Sequence, residues 1–396
     1  FFKDVQVKTV PVDGRDDLVD VNFKVEEEFS GSISASLGYA DGSGVQLGAN
    51  VKQNNFMGTG KKVEVGVNRS KYQESYNLGV TNPYYTKDGV SRGFNVYYKK
   101  RNLDEIDTLS SYNVDRLGAS VSFGYPLSET QRVGLSLGYD KTDITTGVDV
   151  VQEIENDDGT GFVDVHGKEY GLFNVNASWR QSSLNRGRFA TKGSSQRLSL
   201  EATVPGGDLE YYKATYKGQV LFPLGDDGFA IKARTKLGYG GSYGDTEKLP
   251  FFEHYYAGGF NSVRGFEQSS LGPKSTPKAG TGTVVANDAD TFGGNLAVEA
   301  GTELIFPVPF LKDKRSIQTS LFVETGNVFD TECGETREAA GTCSDFDADE
   351  LRSSVGLGIN WNTVIGPLSF SLSKPLQHDK ENDETKRFQF SIGTGF

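Results

Sequence analysis

The chain has 396 residues with 41 Lys plus Arg and 53 Asp plus Glu, so its formal net charge at pH 7 is −12. This acidic balance argues against a nucleic-acid-binding protein, which carries a basic surface. No stretch reaches the roughly 18 consecutive apolar residues of a transmembrane helix, which excludes a helical membrane protein. A transmembrane β-barrel stays possible, because its strands alternate apolar and polar residues.

The start of the chain differs from the rest. Residues 5–10 and 18–25 predict two strands around a turn at 13–15. A segment this short cannot form a domain alone. We therefore interpret residues 1–28 as the end of a soluble module that precedes the main domain, residues 29–396.

From residue 29 onward, apolar and polar residues alternate in one segment after another. This period of two predicts β-strands with one apolar and one polar face. We count sixteen segments, an even number, each near the ~9–11 residues that cross a bilayer. They lie at 32–39, 45–52, 63–67, 76–80, 94–98, 117–123, 133–139, 173–179, 198–204, 212–222, 229–239, 296–306, 317–323, 355–361, 368–372 and 388–396.

The connections between these segments are alternately long and short. The longest, 240–294, and the one that contains the two cysteines fall on the same side. Outer-membrane barrels show this asymmetry, with long extracellular loops and short periplasmic turns. The sequence thus predicts an all-β fold: a 16-stranded antiparallel transmembrane β-barrel with apolar side chains toward lipid and polar ones toward a wet lumen. The alternative, a soluble all-β protein, would leave sixteen apolar faces without sheet partners.

The long connection 240–294 contains the tetrapeptide Val263-Arg264-Gly265-Phe266 among many aromatic residues and glycines. A loop this long is usually functional or disordered, and its aromatic content argues against disorder. Placed in the longest loop of a sixteen-strand pattern, this VRGF motif resembles the signature of the BamA-like family of outer-membrane assembly and translocation proteins. The barrels of that family have sixteen strands and follow periplasmic POTRA domains.

Two further segments resemble the same family, so that the resemblance covers the whole chain. Residues 55–60 are similar to its first periplasmic turn, and 388–396 are similar to its terminal strand. The resemblance implies the core subunit of a machine that folds and inserts β-barrels into the bacterial outer membrane. It also implies that residues 1–28 are the remnant of a POTRA domain, with the N-terminus in the periplasm and the long loops at the cell surface.

The resemblance also implies a set of partners. These are unfolded outer-membrane β-barrel substrates, outer-membrane lipids and lipopolysaccharide, and assembly lipoproteins of the BamB to BamE type. The lipoproteins would bind through POTRA domains outside this sequence. We expect no nucleic-acid partner.

The resemblance further implies that the long loop folds into the lumen and that Arg264 contacts acidic residues there. The sequence supplies such residues, because alternation turns Glu299, Glu303 and Glu324 inward. Glu303 and Glu324 resemble the family's acidic partners in position. A guanidinium can bind carboxylates in a bidentate geometry that Lys does not reproduce. The alternative is an exposed loop arginine, worth ~0–1 kcal/mol in a surface pair.

The first and last barrel strands must pair to close the barrel, and their sequences predict a weak seam. The lumen face of the first strand is only Ser and Gly, and glycine weakens strand interiors. We expect this seam to open laterally. We also expect the terminal strand to be an edge strand that is recognised by β-augmentation, that is, by pairing with another strand. Alternatively, the small residues make room for the folded-in loop and the terminal strand is simply lipid-facing. The seam and terminal-strand residues are Ile33, Leu37, Phe388, Phe390, Ile392, Gly393, Gly395 and Phe396.

The remaining chemistry-bearing residues are few. Cys333 and Cys343 lie in one long connection, in a compartment that permits disulfides, so we expect a local bridge, with two free thiols as the alternative. His166, His254 and His378 show no nucleophile pattern or metal-ligand spacing. The sequence therefore predicts no enzyme activity, no cofactor and no metal site.

Three other functions remain open at this point. Within the same family, the chain could be a two-partner secretion transporter or an autotransporter-assembly translocase. Outside the family, it could be a passive porin with an open lumen. A loop folded into the lumen would argue against the porin, because it would obstruct steady conductance.

Overall fold

The computed structural model describes most of the chain, in which two β-structures follow one another. The first is a two-stranded antiparallel hairpin, and the second is a closed barrel of sixteen antiparallel strands. The predicted fold class is therefore confirmed. The described residues are 2–27, 30–106, 109–147, 150–225, 228–278, 289–308, 316–333, 343, 345–363 and 366–393.

The barrel strands follow one another in chain order, and the last of them closes on the first. The hairpin strands are β1 (Phe2–Val12) and β2 (Arg15–Glu27). The barrel strands are β3 (Gly31–Ala40), β4 (Gly44–Gln53), β5 (Lys62–Arg69), β6 (Gln73–Asn82), β7 (Ser91–Asn102), β8 (Tyr112–Pro126), β9 (Gln131–Thr146), β10 (Glu169–Ser182), β11 (Gly193–Thr203), β12 (Tyr211–Leu224), β13 (Phe229–Ser242), β14 (Leu296–Phe306), β15 (Ile317–Phe329), β16 (Arg352–Thr363), β17 (Gly366–Gln377) and β18 (Phe388–Ile392).

Helical structure is confined to the connections. In the described ranges it comprises α1 (Phe162–His166) and short 3-10 turns at Phe56–Gly58, Leu103–Glu105, Phe251–Glu253 and Ala348–Glu350. None of the described helices has the length and hydropathy needed to cross a membrane.

Side chains alternate between the two surfaces of the barrel, because successive residues of a strand point to opposite faces. On β3, Ile33 and Leu37 are 83% and 68% exposed on the outer surface. On β14, Glu299 and Glu303 point into the barrel and are buried. Apolar residues outside and polar residues inside are the arrangement of a barrel that sits in lipid around a polar interior.

The two ends of the barrel carry connections of different length. One end, which we call the long-loop rim, carries 147–168, 243–295 and 330–351. The other end, the short-turn rim, carries connections such as 54–61 and 127–130. The structure thus has the asymmetry that the sequence predicted.

The largest apolar core lies at the long-loop rim and not between strands of the barrel wall. The connections of this rim contribute most of its side chains, and Tyr112, Tyr170 and Tyr211 contribute from the adjacent strand ends. Because Leu249, Phe251, Phe252 and Phe292 belong to this core, both described parts of the connection 243–295 are held there. The core residues from the connections are Leu103, Ile106, Leu109, Val150, Val151, Ile154, Val163, Leu209, Leu249, Phe251, Phe252 and Phe292.

Within the described residues, β18 covers the first five of the nine residues 388–396 that the sequence predicts as the last strand. Gly393, which follows it, adopts the left-handed φ of +85°, a conformation that glycine takes without strain. Its N–H donates to the Pro367 carbonyl at 2.8 Å. Gly395 and Phe396 lie outside the described residues.

Candidate functional site

The connection 243–295, which we call the lumen loop, enters the barrel between strands β13 and β14. Its described residues are 243–278 and 289–295. They contact inward-facing side chains on both sides of the barrel interior, from β8 and β12 to β15 and β18. The loop therefore crosses the lumen, as the family resemblance implied.

Arg264 of the VRGF motif is buried in an acidic site on the barrel wall. It is 7% exposed, and Glu324 is 1% exposed. Its backbone N–H and its Nε donate to the two oxygens of Glu324 at 2.9 and 3.0 Å, and Nη2 also bonds Glu324. Nη2 further donates to Glu303 Oε1 at 3.2 Å. The structure thus brings Arg264 together with both of the carboxylates singled out in the sequence.

The barrel wall around Arg264 has an aromatic ring beneath the guanidinium group and glycines that leave space for the motif. The guanidinium lies 3.5 Å above the ring centroid of Phe322, a cation–π arrangement. A Cβ at Gly358 would lie 3.2 Å from Arg264 Nη1. At Gly265, φ is +98° and a Cβ would lie 3.2 Å from Ser354 Cβ. Glycine is therefore required at 265 both for its backbone conformation and for its close approach to the wall.

A row of cations on β13 completes the charge balance, and the sequence reasoning missed it. Lys232 Nζ donates to Glu303 Oε1 at 3.1 Å, and Arg234 Nη2 donates to Glu324 Oε1 at 2.7 Å. Gly301 lies between Arg234 and Glu324 in the register. It allows the pair to meet across β14, because a Cβ there would be 3.3 Å from Arg234 Nε. Buried carboxylates need such partners, since an unpaired buried charge is strongly destabilising.

The lumen loop has a second charged anchor on the opposite part of the wall. Glu253 receives hydrogen bonds from Arg116 Nη2 at 2.5 Å and from Lys213 Nζ at 2.9 Å. Lys213 Nζ also donates to the Glu253 carbonyl at 2.6 Å. Burial alone would raise the pKa of the Glu253 carboxyl, but attraction to Lys213 and Arg116 outweighs it and holds this pKa well below its ordinary value. This residue was not singled out from the sequence.

The rest of the VRGF motif binds the last barrel strand. Val263 and Phe266 are fully buried and pack in one apolar cluster. The Gly265 N–H donates to Gln389 Oε1 at 3.3 Å, and Gln389 Nε2 donates to the Phe266 carbonyl at 2.8 Å. Gln389 lies on β18, so the motif connects the acidic site on β14 and β15 to the strand that closes the barrel.

The seam between β18 and β3 has little pairing. Among the described residues, only Ser391 with Ala40 and Ile392 with Tyr39 are register partners, whereas β17 and β18 share five such pairs. These two pairs lie at the long-loop end of β3. Tyr39 and Phe390 also stack across the seam, with ring centroids 5.4 Å apart.

The glycines at the seam allow close approach of the two backbones. A Cβ at Gly38 would lie 2.8 Å from the Ile392 carbonyl oxygen. A Cβ at Gly393 would lie 2.6 Å from the Leu37 carbonyl oxygen. The two backbones therefore approach each other at residues that have no side chain.

The two cysteines are joined. Cys333 and Cys343 form a disulfide with a Cα–Cα distance of 6.3 Å, in the connection 330–351 at the long-loop rim. Within the described ranges, no group of His, Cys, Asp or Glu side chains is arranged to hold a metal ion.

Comparisons with known proteins agree with this arrangement. The sequence profile of the Omp85 superfamily domain matches residues 55–396. Over its whole length the chain is 32% identical to the outer membrane protein assembly factor BamA of Neisseria meningitidis serogroup B, of which it covers 51%. It is 25% identical to the BamA of Neorickettsia risticii and covers 49% of it. The chain thus spans about half the length of these curated relatives.

Solved structures share the fold. The crystal structure of BamA from Haemophilus ducreyi lacking POTRA domains 1-3 matches with a TM-score of 0.89 at 32% identity, over 99% of this chain and 75% of that chain. CdiB from Acinetobacter baumannii matches with a TM-score of 0.57 at 15% identity, over 99% of this chain and 65% of that chain. At 15% identity, the likeness to CdiB concerns the fold alone.

Proposed function

This chain belongs to the Omp85 superfamily and is an outer-membrane β-barrel, and from that premise we propose that it folds and inserts other β-barrel proteins into the outer membrane. The observation that carries the proposal is the sparse pairing of β18 with β3 among the described residues, in a chain similar over its whole length to outer membrane protein assembly factors. A barrel that serves only as a pore has no need of a weak closure.

The seam supplies the chemistry that insertion requires. A strand that enters lipid with unpaired backbone groups is destabilised by several kcal/mol for each group. Two register pairs join β3 to β18 among the described residues. In this proposal the N–H and C=O groups of β3 pair with an incoming strand when the seam is open. In this proposal β3 is the template edge, and no covalent bond is made or broken.

The lumen loop has two roles in this proposal. It fills the interior, held by Arg264 on one part of the wall and by Glu253 on another, which argues against a passive porin. It also binds Gln389 of β18, so that β18 keeps a fixed place when its pairing with β3 is lost. The seam can then open without unfolding the terminal strand.

The partners and the orientation follow from the same proposal. The substrates are unfolded outer-membrane β-barrels, which arrive at the short-turn rim from the periplasm, and the long-loop rim faces the cell surface. The hairpin β1–β2 exposes apolar residues such as Val7, Val19 and Phe23, which supports its assignment as the end of a POTRA domain. The other POTRA domains would bind the assembly lipoproteins. Outer-membrane lipids and lipopolysaccharide would surround the barrel.

The proposal is tested by reconstituting the full-length protein in liposomes and adding an unfolded outer-membrane barrel. We expect the added barrel to fold, judged by its heat-modifiable migration in gels, faster than in liposomes that contain a porin at equal amount. Equal folding rates in the two preparations would overturn the proposal. Conductance in planar bilayers distinguishes this proposal from a passive porin. A lumen filled by the loop should give no large, steady current, whereas an open porin should give one.

A further inference from the structure

A single lysine contacts both sides of the seam and the lumen loop. Lys386 lies two residues before β18, and its Nζ is 2.8 Å from Asp41 Oδ1. Asp41 directly follows β3. The same Nζ is 3.1 Å from Oε1 of Glu267, which follows the VRGF motif in the lumen loop. We call Lys386, Asp41 and Glu267 the ion triad.

The backbone around Lys386 is fixed to the lumen loop. The Lys386 N–H donates to the Gly265 carbonyl at 2.9 Å, and the Glu267 N–H donates to the Glu384 carbonyl at 2.9 Å. Between these bonds, Phe266 and Thr385 form an isolated antiparallel bridge. The segment that leads into β18 and the VRGF motif thus form one hydrogen-bonded unit, and displacement of one moves the other.

Few interactions hold this unit to β3. Besides the two register pairs of the seam, the Asp41 N–H donates to the Phe390 carbonyl at 3.0 Å. Gln268 of the lumen loop packs against Gly42, where a Cβ would lie 2.8 Å from Gln268 Cβ. The further links among the described residues are the ring stack of Tyr39 with Phe390 and the ion pair between Lys386 and Asp41. All of these interactions lie at the long-loop end of the seam.

The charges of the ion triad make this link depend on a positive charge at position 386. The side chains of Lys386, Asp41 and Glu267 are 30%, 16% and 31% exposed, so their attraction is less screened than that of a fully exposed pair. Partial burial acts to lower the pKa of Lys386, but its bonds to Asp41 and Glu267 outweigh this and raise that pKa. Without the ammonium group, two carboxylates would face each other across its place and repel.

We propose that Lys386 controls the long-loop end of the seam by holding the β3 side against the unit formed by β18 and the lumen loop. This inference rests on the proposed function of the seam. The seam then parts first at the short-turn end, where β3 is unpaired among the described residues. It parts at the long-loop end only when Lys386 releases Asp41.

The test measures the distance across the long-loop end of the seam by double electron–electron resonance, on the full chain in lipid nanodiscs and without substrate. Spin labels at Val45 on β4 and at Arg387 use two exposed positions on either side of the seam. Lys386→Met removes the charge and keeps the length of the side chain, and Lys386→Arg keeps the charge. Lys380→Met removes an exposed lysine of the same connection and is the matched control.

We expect Lys386→Met to raise the population of long distances about two- to fivefold, and Lys386→Arg and Lys380→Met to match the wild type. Asp41→Asn should reproduce the effect of Lys386→Met, whereas Glu267→Gln should leave the seam distance unchanged. A distribution for Lys386→Met equal to that of Lys380→Met overturns the inference. If Lys386→Met fails to fold, Asp41→Asn decides by the same criterion.

This outcome is separate from the outcome of the liposome experiment. The distance measurement uses no substrate, so an unchanged seam in Lys386→Met refutes the role of the ion triad even when insertion proceeds. Failure of the wild type to insert barrels refutes the proposed function, whatever the seam distances show.

Discussion

The acidic site around Arg264 and the seam between β18 and β3 are both in contact with the VRGF motif or with the strand that it binds, but they are stabilised in opposite ways. At the acidic site, buried charges share several charge-assisted hydrogen bonds in a fixed geometry. At the seam, the described residues contribute two register pairs, one backbone hydrogen bond from Asp41 to Phe390, one ring stack and a partly exposed ion pair. The barrel therefore fixes its lumen loop firmly and leaves its own closure weak.

The largest expected effect comes from removing the charge at the acidic site. Arg264→Ala leaves Glu303 and Glu324 without one of their cations, and breaking a buried pair costs about 3–5 kcal/mol. We expect faster proteolysis of the lumen loop and impaired growth of a depletion strain that carries the variant. Arg186→Ala, at an exposed arginine, is the control. Normal protease resistance together with normal complementation would refute the anchoring role.

A smaller effect is expected at the second anchor. Glu253→Gln leaves Arg116 and Lys213 without a counter-charge, which should destabilise the loop locally by about 1–3 kcal/mol. Hydrogen exchange of residues 251–255 should accelerate, and Glu247→Gln, at an exposed position of the same loop, should not change it. Equal exchange in the two variants would show that Arg264 alone holds the loop.

The pH dependence of this anchor follows from its lowered pKa. A carboxyl whose pKa is depressed by folding contributes stability above its unfolded pKa of about 4.3, and that stability is lost as pH falls through the folded value. Because the folded pKa of Glu253 lies well below the ordinary value, the protection of residues 251–255 should stay constant from about pH 5 to pH 8. A loss of protection within this range would contradict a Glu253 pKa that is lowered by Lys213 and Arg116.

The link between loop and seam should be weaker than either anchor. Gln389→Ala removes two hydrogen bonds to the VRGF motif, a loss of about 1–2 kcal/mol. We expect faster hydrogen exchange in β18 and little change at the acidic site. Gln389→Glu keeps the acceptor for Gly265 and loses the donor to Phe266, so it should fall between the wild type and Gln389→Ala. If hydrogen exchange in β18 is unchanged in Gln389→Ala, the lumen loop does not stabilise the seam through Gln389.

The smallest effect on insertion is expected from the disulfide. Closing a loop this short stabilises by about 2–3 kcal/mol on the chain-entropy view, but the bond lies at the long-loop rim, away from the seam. Cys333→Ser should therefore insert substrates at the wild-type rate. Thiol titration of the denatured, unreduced wild type should find no free thiol. A clear loss of insertion in the variant would contradict a peripheral role.

The sequence predicted the barrel well because a period of two directly encodes a lipid face and a lumen face. The pairing of Arg264 with Glu303 and Glu324 followed from the resemblance together with this alternation. Arg234 could also have been found, since it alternates inward beside Lys232 and Lys236. Glu253 could not, because loop residues carry no periodicity that places them against a particular strand.

The backbone conformation of Gly393 was beyond sequence reasoning. The apolar alternation of 388–396 predicts extended residues throughout, whereas Gly393 adopts φ +85°. A glycine can either continue a strand or turn the chain, and only its tertiary surroundings decide. The close approach of the two backbones at Gly38 and Gly393 depends on the same surroundings and could not be predicted either.

The most direct test of the central claim, that the seam must open for insertion, is a reversible lock. Ala40→Cys with Ser391→Cys joins two register partners across the seam, in a Cys333→Ser, Cys343→Ser background. A pair at Thr235 and Ala300, partners on β13 and β14, is the control. In liposomes, we predict that the oxidised seam pair loses insertion and recovers it on reduction, and that the control pair inserts in both states. Insertion at the unlocked rate by fully cross-linked seam protein would contradict the claim.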